Sequence, residues 1–273
     1  MIIKYIIQNN NSIKSILKDE LKLSSRLIRK LSLLNCVYKS GNTIHIDLRY
    51  EEDNSNIVPK EMSLDIIHED ESLLIINKPV GIVVHPSTSH YDTSLSSGVK
   101  YYFDQIKLKK KIRPVNRLDR DTSGIVIFAK NEYVQDFLSN NFSKKEYFAI
   151  LEGILENSNG TIDANIARKE NSIIERCISE NGETAITHYE LIKTFNNLSL
   201  VKFILGTGRT HQIRVHSSYI GHPILGDTLY GNFSQLINRQ ALHAYKVSLI
   251  DPITKEAVSY TASIPNDIQK IIE

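Results

Sequence analysis

The sequence predicts an α+β protein, a small helix–helix–strand unit joined by a polar linker to a larger body in which strands outnumber helices. Two observations carry this. Between residues 12 and 34 apolar side chains recur at helical spacing, whereas beyond residue 144 the chain breaks into runs of five to eight strand-forming residues separated by turn residues. Helical segments are too few to alternate with the strands, which argues against repeated βαβ units.

The first unit opens with SIKSILKDE (12–20) and SSRLIRKLSLL (24–34), and Ser24 or Ser25 is placed to cap the second helix. TIHIDLRY (43–50) alternates apolar and polar residues as a half-buried strand does. EEDNSNIVPKEMS (51–63) is polar, contains a proline and has no period, so it reads as a linker. A boundary near 60 follows, with units 1–60 and 61–273. Next come two β-branched runs, LLIIN and GIVVH, around Lys-Pro-Val-Gly, where proline fixes φ and glycine permits a turn. Helices are expected over 93–104 and 131–142, with the strand IVIFAK between them. EYFAILEG, TIDANI, AITHYELIKTF, SLVKFIL, HQIRVHSSYI and ALHAYKVSLI then read mostly as strands.

Of the 273 residues, 41% are hydrophobic and 23% charged, as in an ordinary globular protein. No apolar run approaches the roughly 18–20 residues of a membrane span, and MIIKYIIQNNN lacks the h-region and cleavage site of a signal peptide. Cys36 and Cys177 form no CxxC pair, so a cytoplasmic location is expected. The net charge of +2 conceals segregation. Residues 1–50 hold nine Lys/Arg against three acids, residues 51–80 two lysines against eight acids, and KLKKKIR (107–113) is a second basic run. Such blocks suit a polyanion partner, or else solvated loops. A monomer is the default expectation.

GTGRT (206–210) is not a phosphate-binding P-loop, and no GxGxxG follows a strand. His211, His216 and His222 are spaced by five and six residues without an HExxH pattern, so no metal is expected. The unusual stretch is RLDRDTSG (117–124), two arginines and two aspartates directly before an apolar strand. By itself it could be a turn tied down by its own ion pairs. Four further stretches change its meaning: NKPVGIVVHPS (77–87), KKEYFAILEG (144–153), GTGRTHQIRVHSSYIGHPILGDTLYG (206–231) and RQALHA (239–244).

Together, in this order and from about residue 65 to the C-terminus, these motifs resemble the RluA-type family of pseudouridine synthases. The unit in front resembles a degenerate S4-type RNA-binding domain, since NCVYKSGNTIHI (35–46) lacks the usual V-N-G turn and the GD before the last strand. The resemblance implies a catalytic fold on a mixed, mostly antiparallel sheet with flanking helices. It also implies isomerisation of uridine in structured RNA, with large-subunit (23S) ribosomal RNA as the leading substrate and transfer RNA as the alternative. A non-catalytic RNA-binding or assembly factor is the competing class. No cofactor is implied, because the reaction has no net redox change and no group that ATP must activate.

The family's carboxylate corresponds to Asp119. It could attack the base or C1′, or remove the C2′ proton, and each role needs an ionised side chain partly withdrawn from water. By resemblance Arg214, expected on a strand, is its cationic partner, and Tyr147 is the tyrosine that stacks on the base and takes the C5 proton. Arg117 matches the side chain that fills the gap left by an everted base, Arg120 is a further RNA contact, and Leu242 is an apolar wall of the uracil pocket. Many family members have His where this chain has Asn116, a difference expected to alter hydrogen bonding in the loop.

Overall fold

A computed structural model describes residues 1–8, 11–86, 93–141 and 144–273. Ser87, which ends the first motif, and Phe142, which ends the second expected helix of the body, lie outside the described residues.

The N-terminal unit contains β1 (Ile2–Ile6), α1 (Ile13–Ser15) continuing as a π-helical turn over Ile16–Glu20, α2 (Ser25–Leu33), β2 (Val37–Ser40) and β3 (Thr43–Asp47). Ser24 caps α2, its Oγ accepting from Leu27 N at 3.2 Å. The strands form an antiparallel sheet in the order β1-β3-β2. Two of them, β1 and β2, were not expected. Isoleucines crowd both faces of β1, and β2 is mostly exposed, so neither shows a one-sided pattern.

The body runs β4 (Ile66–Glu69), β5 (Leu73–Lys78), α3 (Leu95–Gln105), β6 (Ser123–Ala129), α4 (Glu132–Asn141), β7 (Lys144–Glu152) and β8 (Asn159–Asp163). It continues with β9 (Ile166–Arg168), β10 (Arg176–Ile178), β11 (Ile186–Phe195), β12 (Leu198–Leu205), α5 (Gln212–Tyr219), β13 (Leu242–Ile250), β14 (Ala257–Thr261) and α6 (Asn266–Ile272). The main sheet has the order β4-β5-β6-β13-β7-β12-β11-β8, with β14 on β13. Among the described strands of this sheet β6 and β13 run parallel and the other pairs are antiparallel, so the sheet is mixed and mostly antiparallel as expected.

Both faces of this sheet are covered. Leu74, Ile76, Val126 and Phe128 enter one apolar cluster with α3, while their neighbours Leu73, Ile75, Ile125 and Ile127 enter a second with α4, Leu27, Leu31 and Ile46. Alternate residues of a strand face opposite sides, so a strand covered on both sides reads as a continuous apolar run. The N-terminal unit therefore packs against the body's sheet. The 51–63 segment forms no helix or strand, yet it is not a loose tether. The Glu52 side chain is buried and accepts from Arg113 Nη1 and Nη2 at 2.7 and 2.6 Å and from Lys30 Nζ at 2.6 Å. These bonds clamp the segment between α2 and the approach to β6.

Two expected strands are otherwise. GIVVH forms only an isolated bridge, Val83 to Ser94. Its carbonyls go elsewhere: Lys78 Nζ, which also donates to Pro79 O and Arg120 O, donates to Ile82 O at 2.9 Å, and Leu95 N and Ser96 N donate to Val83 O and Val84 O at 2.8 and 3.0 Å. HQIRVHSSYI forms α5, a buried helix. Its alternating Ile213 and Val215 mimic a strand, but the intervening Gln212, Arg214 and His216 are also buried and bonded to interior partners.

Candidate active site

The RLDRDTSG loop is fixed before its charged side chains are considered. Val115 N donates to Ile127 O at 2.8 Å, and Asn116 makes two bonds to β6, donating to Ile125 O and accepting from Ile127 N, both at 2.9 Å. Asn116 thus does local structural work, tying the loop to β6. Leu118 is buried, Thr122 N donates to Asp119 O at 3.2 Å, and Lys78 Nζ and Gly81 N both donate to Arg120 O at 3.0 Å. At the loop's end Gly124 has φ +114°, and a Cβ there would lie 2.2 Å from Ala244 O. Only glycine lets β6 and β13 approach this closely. That contact sets Leu242 beside the loop.

Asp119 emerges into a cleft of about 300 Å³ whose lining also includes Arg117, Tyr147, Lys145, His211, Arg214 and Leu242. Arg214 Nη1 donates to Asp119 Oδ2 at 3.2 Å. The two residues are 95 positions apart and meet because α5 lies against the loop. Arg214 comes from a helix, not from the expected strand, and helix geometry lets its neighbours Ile213 and Val215 bury separately.

Asp227 governs the posture of Arg214. Its fully buried carboxylate accepts from Nε at 2.6 Å and from Nη2 at 2.8 Å, and Leu229 N and Tyr230 N donate to its Oδ1. This fork leaves Nη1 for Asp119. The guanidinium also lies 5.0 Å from the centre of the Tyr230 ring. Burial works against the Arg214 charge, but the carboxylates of Asp227 and Asp119 outweigh it and hold its pKa above the ordinary value. Asp227 lies in the GDTLYG segment of the third motif, but nothing in the sequence pairs it with Arg214.

Two more titratable groups face Asp119. His211, in the left-handed region at φ 59°, caps α5 with its Nε2 3.7 Å from Asp119 Oδ2 and its Nδ1 2.8 Å from Tyr230 Oη. Burial, aided by the Arg214 charge, pushes its pKa down against the pull of Asp119. Tyr147 on β7 is buried, and burial together with the Asp119 charge pushes its phenol well above the ordinary range. Burial also lowers the pKa of Lys145. Arg120 does not line the cleft; its guanidinium pairs with Asp121 at 2.9 Å on the surface.

The three histidines considered for metal binding go separate ways. His216 bonds Thr187 and Ala164 O, His222 bonds Glu152 O, and His211 faces the cleft. Among the described residues no three His, Cys, Asp or Glu side chains gather as a metal site requires, and no helix is long and apolar enough to cross a membrane.

Comparison with known proteins agrees with this architecture. Residues 72–219 match the family model described as RNA pseudouridylate synthase. The chain is 39% identical to the protein titled "Uncharacterized RNA pseudouridine synthase YhcT" of Bacillus subtilis, covering 97% of this chain and 93% of that one. It is 36% identical to ribosomal large subunit pseudouridine synthase D of Haemophilus ducreyi, over 85% of this chain and 77% of that one. In fold it is similar to human RNA pseudouridylate synthase domain containing 1, with a TM-score of 0.60 and 24% identity over 77% of this chain and 93% of that one. An α5 arginine brought to the RLD loop, on a sheet of this topology and in a sequence this similar, leaves one conclusion: the chain belongs to the RluA-type RNA pseudouridylate synthase family and is an RNA pseudouridine synthase.

Proposed function

We propose that Asp119 is the catalytic carboxylate and that the substrate is a uridine in folded large-subunit ribosomal RNA. The observation that carries this is the Asp119–Arg214 contact at 3.2 Å inside the cleft, with Arg214 itself locked by Asp227. The reaction breaks the bond from C1′ to N1, turns the base, and joins C1′ to C5; C5 loses a proton and N1 gains one. No electrons are exchanged with a partner. A carboxylate oxygen held at one spot by a guanidinium serves as nucleophile toward the base or C1′, or as base toward the C2′ proton, and each role uses the same geometry.

Tyr147 forms a buried wall, and its raised pKa keeps the phenol protonated. Its ring stacks on uracil, opposite the apolar side chain of Leu242, and its hydroxyl lies on the side of the pocket where the C5 proton is lost. Arg117, exposed at the rim, fills the gap left by the everted nucleotide, and stacking in the pocket offsets an unstacking cost of a few kcal/mol. Arg120, outside the cleft, reaches RNA only by exchanging Asp121 for phosphate. The N-terminal unit, with a boundary near 60, is read as a degenerate S4-like RNA-binding piece. Relatives at 34–36% identity that are named ribosomal large subunit pseudouridine synthase D support the ribosomal substrate, and such a substrate puts the enzyme in the cytoplasm.

Asp119→Asn tests the assignment. The amide still accepts from Arg214, so folding and RNA binding are expected to stay near wild type while pseudouridine formation is abolished. Normal turnover by this variant would remove Asp119 from the chemistry. Pseudouridine mapping of total RNA with and without the gene tests the substrate. Sites lost from large-subunit RNA support it, and loss confined to transfer RNA overturns it.

A further inference from the structure

A second groove, about 420 Å³ in volume, opens beside the cleft between the β9–β10 hairpin and the 206–210 loop. Arg117, Gly208, Arg209 and Thr210 line both spaces, so the two are continuous. Four guanidiniums, those of Arg117, Arg168, Arg176 and Arg209, face one carboxylate, that of Glu183. Arg209 pairs with Glu183 and donates from Nε to Thr184 O at 3.0 Å. Arg176 Nη1 donates only to carbonyls, those of Ile174 and Glu175, so its charge has no carboxylate partner among the described residues. Arg117 and Arg168 are exposed and have neither an ion pair nor a hydrogen bond from the side chain among the described residues.

The groove wall is rigid. Ile166 and Glu183 exchange backbone bonds at 2.9 Å, and a Cβ on Gly182 would lie 2.6 Å from the Ile166 backbone. Arg176 N donates to Tyr230 Oη at 2.8 Å, the same hydroxyl that meets His211 Nδ1. Ile166, Ala185 and Val215 pack together with Ile178 and Tyr230. The hairpin is thereby braced on α5, the helix that carries Arg214.

We propose that this groove is a second substrate subsite, which holds the sugar–phosphate backbone of the RNA strand flanking the everted uridine, with phosphates on Arg168 and Arg176. The proposal rests on reading the neighbouring cleft as the uridine site. A flipped nucleotide keeps its backbone connections, so the strand must leave the cleft past Arg117. The path there is lined with unpaired guanidiniums suited to bidentate phosphate contacts. The wall offers little apolar surface for the side chains of a peptide.

The test compares the wild-type chain with Arg168→Gln and Arg168→Gln/Arg176→Gln on a stem-loop RNA from the large subunit, measuring affinity across salt concentrations and steady-state kinetics. Each phosphate contact to a single strand contributes about 0.7 to the slope of log K against log salt. The double variant is expected to lose about 1.4 in slope and about tenfold in affinity, with KM raised by the same factor and kcat little changed; the single variant loses about 0.7 in slope. Unchanged slopes and KM, in a wild type that forms pseudouridine, would overturn the groove and leave the functional reading intact. Weaker binding with an unchanged slope would overturn it equally, as a folding defect. Slopes that fall as expected, in a wild type that makes no pseudouridine, would support the groove while the uridine reading fails.

Discussion

Asp227→Asn tests whether the Asp119–Arg214 contact depends on the carboxylate behind it. The wild-type fork leaves Nη1 alone to reach Asp119, at 3.2 Å. An amide is the same size and its oxygen can still accept from Leu229 N and Tyr230 N, but its NH₂ has no lone pair for the arginine. The buried guanidinium is then left with Asp119 as its sole carboxylate. Removing one partner of a buried pair costs about 3–5 kcal/mol. Because Asp119 remains and retains part of that energy, a loss of about 2–3 kcal/mol in stability is expected. The rearrangement falls on catalysis as well, since a guanidinium freed from its fork swings onto Asp119 and occupies the oxygen that must react. A cost of about 2.7 kcal/mol at the transition state is about 100-fold in kcat. Single-turnover pseudouridine formation measures the rate, thermal unfolding measures the fold, and RNA affinity should hold, because Asp227 is buried beneath the site. A folded Asp227→Asn enzyme with kcat within about threefold of wild type would refute the reasoning.

Gly124→Ala is expected to cost at least about 3 kcal/mol, because it combines positive φ with a clash against Ala244 O; an unchanged urea midpoint would refute the close approach of β6 and β13. His243 is buried, and burial lowers its pKa from 6.5 to about 4. Below pH 6.5 the unfolded chain takes up the proton before the folded one, so stability falls with pH down to about 4, by about 1.4 kcal/mol per unit. His211 and His216, also lowered, act in the same direction. His243→Asn should flatten the dependence of unfolding free energy on pH in this window, and an unaltered slope would refute the buried neutral imidazole.

Much of this was legible in the sequence because the relevant signals are local. LLIIN and IVIFAK read as strands since both faces are apolar, and Ser24 announced the start of α2. By resemblance, four of the five motifs single out Asp119, Tyr147, Arg214, Arg117 and Leu242, and all five side chains line one cleft. The parts that were not legible are those in which a distant partner replaces a local rule. HQIRVHSSYI alternates like a strand, and partners from other segments, among them Thr187, Ala164 and Asp227, make its polar positions acceptable inside a helix. GIVVH is β-branched enough for a strand, yet Lys78, brought in by β5, takes the Ile82 carbonyl, and Leu95 N and Ser96 N at the start of α3 take those of Val83 and Val84. Asp227 lacked a signal of its own, because an aspartate in a Gly-Asp turn usually serves only the turn.

The density of charge before β6 has a physical reason in this division of labour. Ion pairs within RLDRDTSG could have held the loop, and Arg120 with Asp121 does form one, but on the surface. The loop is instead fixed by groups from elsewhere: its backbone by Lys78 and Gly81 on Arg120 O and by Arg239 on Asp121 O at 3.2 Å, and its Thr122 side chain by Gln240 on Oγ1 at 3.2 Å. With its conformation set from outside, the loop need not use Arg117 or Asp119 to hold itself together. Arg117 is left free among the described residues, and Asp119 turns to a guanidinium already orientated by another carboxylate. A carboxylate that had to stabilise its own loop would pay in stability each time it reacted. Here it can change bonding partners during a reaction while the loop beneath it stays still.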